Sequence, residues 1–363
     1  MPRTVLFFRL QLAAAVCGLS LGLAACGGGG GGDGGTAQAP PPVTSPPPVT
    51  DPPPVTDPPP VPPPVASKSM IQSDVQAARF LNAATFGASG SEIEALVGRD
   101  AADWLAAEFS KPATRILPTV RADYGDDGEV PYNTEYNLLW NGMLTGDDQL
   151  RLRMQFALSQ ILVVSGRGGD ADQVRLAHYM DLLSDGAFGN YRDLLEDVTY
   201  SPAMARYLTY LRNQKGDPER GRTPDENYAR ELMQLFTIGL VELKMDGQPK
   251  LDSDGRAIET YDNDDIIGLA RVFTGLSEKG TGWWQPDADA NWQPLQVFPE
   301  RHSPLEKRFV GQTIPAGTGP AESIDIALDT LFGHPNMAPF IARQLIQRFT
   351  SSSPDPAYVR RVA

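Results

Sequence analysis

"PDENYARELMQLFTIGL", residues 224–240, is the stretch on which the reading of this chain turns. Thr223-Pro224-Asp225-Glu226 has the form of a capping box with proline at the first helical position, so the pattern predicts a helix starting at Pro224. With residues spaced about 100° apart around a helix, Tyr228, Leu232, Leu235 and Phe236 fall on one apolar arc and must face a core. Asn227, Arg230, Glu231 and Gln234 share the adjoining arc, and Glu226 precedes Arg230 by one turn in the acidic-first order that favours an ion pair. On spacing alone the polar arc is a solvated flank. Yet arginine and asparagine beside two glutamates, without lysine, is an unusual surface set, and a desolvated arginine needs such carboxylate and amide company. The expectation is therefore an inward-facing polar set, in which loss of Arg230 strongly destabilises the fold.

The rest of the body reads the same way. Ser73-Asp-Val-Gln76 and Ser91-Glu-Ile-Glu94 match capping boxes, Asp147 precedes an amphipathic run to Val164, and Ser201-Pro202 opens a further helix. Gly87, Gly98, Gly166 and Gly333 stand where helices would end. The fold class is mainly α, multi-helical with about a dozen helices and little strand alternation. Two stretches interrupt it. Residues 243–261 carry two Asp-Gly turn signals and predict a small β-hairpin. Residues 277–320 are rich in Gly, Pro and Trp, with short strands expected at 296–298 and 308–310, and are too long for an ordinary connector.

Ahead of this body, residues 1–25 read as a signal peptide: Arg3 and Arg9 bracket a charged region, and the apolar run from Leu10 to Ala25 is too short and too rich in small residues to span a bilayer. It ends in Leu23-Ala24-Ala25-Cys26, which resembles the bacterial lipobox, where the cysteine thiol is lipidated. Gly27 after Cys26 favours the outer membrane, by resemblance to the bacterial sorting rule. Cys17, the only other cysteine, leaves with the signal, so the mature chain has no intrachain disulfide and no thiolate zinc site. Residues 26–68 then form a tether, polyglycine followed by PPPVT repeats over 40–65, which reaches about 80 Å if fully extended as polyproline II. The helical domain occupies 69–363.

The net charge of −14, from 45 Asp+Glu against 31 Lys+Arg, disfavours nucleic acid and anionic headgroups as partners. Of the three histidines, His178 and His334 read as structural, and no pair has zinc-ligand spacing. His302 stands in Arg301-His302-Ser303-Pro304 with Lys307 following, inside the irregular segment, where neighbouring cations would lower its pKa and suit it to act as a neutral base. Trp283, Trp284 and Trp292 share that segment; they read either as sugar-stacking groups beside Asp287 and Asp289 or, better, as pins holding a flap on the core. Asp252-Ser253-Asp254-Gly255 lacks the remaining ligands of a calcium loop and reads as a turn. The one G-x-S-x-G, Gly18–Gly22, lies in the signal.

"PDENYARELMQLFTIGL" resembles the signature N-E-N-x-A-R-E-L-x-E-L-F-T-L-G of the bacterial family catalogued as domain of unknown function 1800. "DDQLRLRMQFALSQILVVS" (147–165), "DDIIGLARVFTGL" (264–276), "RHSPLEKRFVGQTI" (301–314) and "HPNMAPFIARQLIQRF" (334–349) agree in order. Asp225 replaces the family's asparagine and Gln234 its glutamate, which weakens any metal-site reading. The resemblance implies an exported, mainly helical protein, often encoded beside a second exported protein, and no established activity. Family members commonly continue further, and Pro354-Asp355-Pro356 opens a helix only seven residues from the end, so a truncated C-terminus is expected.

Two functional expectations follow. In the first, this is an envelope lipoprotein, held in the membrane through Cys26, whose helical domain is a binding or scaffold module for an exported partner protein or an envelope polymer such as a glycan. In the second it is an envelope hydrolase acting on a glycan or related polymer, with Glu231 as general acid/base and His302 as its partner; the candidate binding groups are Glu226, Asn227, Arg230, Gln234, Arg301 and Lys307. No metal and no cofactor is called for by either.

Overall fold

A computed structural model describes residues 70–125, 129–166 and 172–363, all within the unit Pro64–Ala363. The signal segment, Cys26 and the tether expected at 26–68 lie outside the described residues. Among the described residues the chain forms fourteen α-helices: α1 (Asp74–Ala84), α2 (Gly90–Leu96), α3 (Ala101–Phe109), α4 (Leu117–Tyr124), α5 (Thr134–Thr145), α6 (Gln149–Ser159), α7 (Gln173–Asp185), α8 (Tyr191–Thr199), α9 (Pro202–Tyr207), α10 (Asn227–Glu231), α11 (Asn263–Ala270), α12 (Pro320–Phe332), α13 (Met337–Phe349) and α14 (Pro356–Val362). The fold is mainly α, as the periodicity predicts. No helix among the described residues is long and apolar enough to cross a membrane.

Several starts follow the predicted capping. Ser73 caps α1 by accepting from the Gln76 amide, and Pro202 opens α9. Others shift. The capping box of α2 uses Ser89 and Glu92, two residues before the expected pair, and α6 ends at Ser159 rather than Val164.

The 224–240 stretch departs most. Its helix begins at Asn227, because Asp225 is held in a turn: the Asn213 side chain accepts from the Asp225 amide at 2.9 Å and donates to its carbonyl at 3.3 Å. The Asp225 carboxylate, not Thr223, receives the Asn227 amide at 2.9 Å. Beyond Glu231 the ladder widens into a π-helical turn over Leu232–Thr237, in which Ile238 N–H donates to Met233 O five residues back, at 3.0 Å. That wider turn rephases the helix. The buried positions become the pairs 228/229, 232/233 and 236/237, and Leu235, expected in the core, is 43 % exposed.

The buried stripe delivers Tyr228 into the centre of the largest core cluster. Its ring stacks on Tyr210 at 4.2 Å and meets Phe273 edge-on at 4.8 Å. Burying two tyrosines requires partners for both hydroxyls. Thr199 supplies them: its side chain bonds Tyr228 Oη at 2.8 Å, and its carbonyl accepts from Tyr210 Oη at 2.8 Å. Helix α7 lies among α4, α5, α6, α8 and α9, and a second cluster joins α4, α5 and α7 through Ile116, Val120, Leu139, Met143, Val174 and Ala177.

Among the described residues strand is confined to three two-stranded pieces: β1 (Leu276–Ser277) with β4 (Gln296–Val297), β2 (Gly280–Gly282) with β3 (Gln285–Pro286), and β5 (Lys307–Phe309) with β6 (Gln312–Ile314). The expected strands at 296–298 and 308–310 are β4 and β5, each one residue shorter or shifted. The 243–261 hairpin is a ribbon of isolated bridges, with Leu243 opposite Pro249 and Leu251 opposite Ala257. Its two Asp-Gly turns form, with Gly247 and Gly255 at positive φ.

Candidate functional site

The 226–234 polar arc is neither fully solvated nor buried. Arg230 pairs with Glu226 at 3.3 Å, and their side chains are 42 % and 36 % exposed. Both groups keep contact with water, so the desolvated arginine expected from residue choice is not formed. Asn227 reaches Thr209 at 3.5 Å. Glu231 and Gln234 are half-buried.

His302 lies elsewhere, in the core. It is 5 % exposed, and its Nδ1 sits 2.8 Å from the Thr274 carbonyl. A carbonyl only accepts, so Nδ1 carries the proton and Nε2 is the free acceptor, facing Ser323 Oγ at 3.5 Å. Burial drives its pKa down to about 4, with the Lys307 charge assisting against the Thr274 carbonyl. The expected depressed histidine is present, but desolvation is the main cause rather than neighbouring cations. Arg301 bonds Gln214 at 3.0 Å and lies over the Trp283 ring. Lys307 is fully buried, with its ammonium on the Leu305 carbonyl at 3.3 Å, and burial lowers its pKa. No hydrogen bond or ion pair among the described residues joins Glu231 to His302.

The 264–276 and 301–314 stretches prove to be packing partners. A Cβ on Gly268 would fall 1.7 Å from the Arg308 carbonyl, and one on Gly275, at φ +86°, would fall 2.8 Å from the Phe298 carbonyl. Glycine is required there by backbone approaching backbone. The tryptophans divide. Trp283 is buried, and Trp292 packs against the α4/α5/α7 cluster beneath Arg121, as pins should. Trp284 is exposed with Arg212 over its face.

That Arg212 belongs to a buried charge cluster invisible in the sequence. Glu278 receives Arg212 on one oxygen and Arg175 on the other, the latter at 3.1 Å. Asn291 bridges Arg175 to Asp172. These groups tie the irregular segment to the start of α7.

One concavity, of about 480 Å³, is lined by Arg115 and by residues of α4, α7 and α8, with Tyr200, Ser201 and Pro294 completing it. It is acidic. Asp181 accepts the Ile116 and Leu117 amides at 2.8 and 3.0 Å, and burial still raises its pKa to about 6. Asp185 is held by Arg115 and Glu196 by Arg192. Asp197 is exposed and makes no hydrogen bond or ion pair among the described residues, and partial burial, then Glu196, Asp193 and Asp185, raise its pKa. Burial lowers that of His178, whose Nδ1 has no partner among the described residues. Neither Glu231 nor His302 lines this cavity. Spacing alone reads His178 as structural, and no motif marks Asp181 on the same helix.

Helix α5 carries a different kind of feature. It buries Glu135, Leu139, Gly142 and Met143, while Tyr136, Trp140 and Leu144, spaced by four, are 43 %, 58 % and 76 % exposed, and Tyr132 just ahead is 61 % exposed. The four-residue spacing was available in the sequence. That the stripe faces outward was not.

The model of the family described as Protein of unknown function (DUF1800) matches residues 79–363. The chain belongs to that family. No curated protein and no solved structure was found to resemble it.

Proposed function

We propose that this is an exported lipoprotein of the cell envelope, anchored through Cys26 and favouring the outer membrane, whose helical body is a binding module for an exported partner protein or an envelope polymer. The observation that carries this reading is the outward stripe of Tyr136, Trp140 and Leu144 on α5. Large aromatic groups left in water at successive turns cost solvation unless a partner covers them, and they are the groups that dominate binding interfaces and stack on sugar rings. Asn137 and Asn141 flank the stripe and are exposed, which supplies amide donors and acceptors beside the rings. The tether supports the same reading, since it would hold such a face away from the membrane. A hydrolase built on Glu231 and His302 has less support, because His302 is only 5 % exposed and no hydrogen bond or ion pair among the described residues joins it to Glu231. The test is recovery of what the full-length chain holds in its native envelope, with and without Trp140.

A further inference from the structure

We propose that two copies of the chain pair through their α5 faces about a twofold axis. This rests on the reading of that face as a binding surface and names its partner.

The composition of the face selects the partner. Nine residues between 131 and 145 are exposed, and none of them is charged. A soluble surface ordinarily carries about a quarter to a third charged residues, so about two or three would be expected among nine. The one charge in the stretch, Glu135, is turned inward at 4 % exposure. Aromatic groups with charge depleted around them are the composition of a protein interface core. The chain as a whole carries a net charge of −14. Two copies meeting through acidic surface repel each other, whereas the α5 faces meet without that cost. A strongly charged partner would find no counter-charge on this face and would lose its hydration there.

Shape and size fit the same partner. Tyr136, Trp140 and Leu144 stand four apart on α5 and form one ridge along the helix. Ridges of this kind interdigitate when two helices cross at about −50°. In a twofold pair each patch need be complementary only to itself. Asn137 and Asn141, exposed beside the ridge, each carry an amide donor and a carbonyl acceptor and so can bond their own kind across the axis. Tyr132, Tyr136 and Trp140 leave about 300 Å² in water, taking roughly 200 Å² for each such residue when fully exposed. Six further uncharged exposed residues carry the face toward the roughly 800 Å² per partner of a standard interface. Anchoring of both copies in one membrane through Cys26, as proposed, would raise their effective concentration and favour pairing through a face of this size.

The experiment is oxidative cross-linking of the full-length protein in its native envelope, with Asn137→Cys and Asn141→Cys made singly. With Cys17 leaving in the signal and Cys26 acylated, as proposed, the introduced thiol is the free one, and the unsubstituted chain is the blank. A position close to the axis brings its two copies within the Cα separation of about 7 Å that a disulfide tolerates. At least one of the two variants should give a dimer band on a non-reducing gel, in at least about tenfold greater yield than Ser253→Cys, whose exposed turn in the 243–261 ribbon reports chance encounters on the membrane. Adding Leu144→Asp sets carboxylates against each other across the axis and should abolish the band; Leu144 is 76 % exposed, so the melting temperature should not fall. Yields from both cysteine variants no higher than from Ser253→Cys, or a band that survives Leu144→Asp, would overturn the proposal. If Trp140→Ala still loses what the wild type recovers from the envelope while no α5 dimer forms, the pairing falls alone and the face binds another protein or a glycan. If recovery is also indifferent to Trp140, the binding role of the face falls with it. Should Leu144→Asp fail to fold, the yields of the three cysteine variants decide.

Discussion

His302 Nδ1 donates its proton to the Thr274 carbonyl across 2.8 Å, in a place where the ring is 5 % exposed. This bond pins the irregular segment to the turn after α11, while burial, against the pull of that carbonyl, keeps the imidazole neutral. The folded pKa of about 4 lies below the ordinary value of 6.5. Between these values the unfolded chain binds a proton that the fold does not, so this residue's contribution is complete above pH 6.5 and is lost as pH falls toward 4. The loss should be on the order of 3 kcal/mol. Urea unfolding of wild type and His302→Gln at pH 7 and pH 4.5 measures it. The wild type should lose more stability on acidification than the variant, and parallel losses would show that His302 does not titrate with folding.

Gly268→Ala should prevent folding or cost well over about 3 kcal/mol, since a methyl group 1.7 Å from the Arg308 carbonyl forces α11 and β5 apart. Gly90→Ala, whose added carbon meets nothing within 4 Å, serves as the control and should leave the melting temperature unchanged or higher. Thermal unfolding followed by circular dichroism compares the two.

Arg230→Ala should cost under about 1 kcal/mol, because its ion pair with Glu226 is open to water. Glu278→Ala should cost about 3–5 kcal/mol, because it strands Arg175 and Arg212 at a buried site. Denaturant midpoints that reverse this order would return the polar arc of α10 to the role its residue types suggest.

How far the sequence reveals these differences depends on range. Helix starts at Ser73 and Pro202, and the turns at Gly247 and Gly255, are local chemistry and were legible. The exposure of Leu235 was not, because a periodicity of 3.6 cannot anticipate a π-helical turn. The Arg175–Glu278–Arg212 cluster joins residues 103 and 66 apart in sequence, and no motif marks it. Asp181 and Asp197 look like ordinary helix-surface acids until the fold places them around one cavity. The stripe on α5 reads as a second apolar face, and only the packing shows that no described element covers it.

If the proposed lipid on Cys26 is the anchor, Cys26→Ser should move the mature protein from the membrane fraction to the soluble fraction. Fractionation with an immunoblot checks it. A variant whose signal is cleaved but which stays with the membrane would remove the lipid anchor from the account.

The most direct measurement of the proposed binding function is cross-linking and affinity recovery of the full-length protein from its native envelope, comparing wild type with Trp140→Ala. Trp140 is 58 % exposed, so its loss should leave the melting temperature essentially unchanged. The wild type should recover a discrete protein or glycan, and Trp140→Ala should recover at least about tenfold less of it, as for truncation of an interface anchor worth more than about 1.4 kcal/mol. Equal recovery by both proteins, or no discrete species with the wild type, would contradict a binding role for the α5 face.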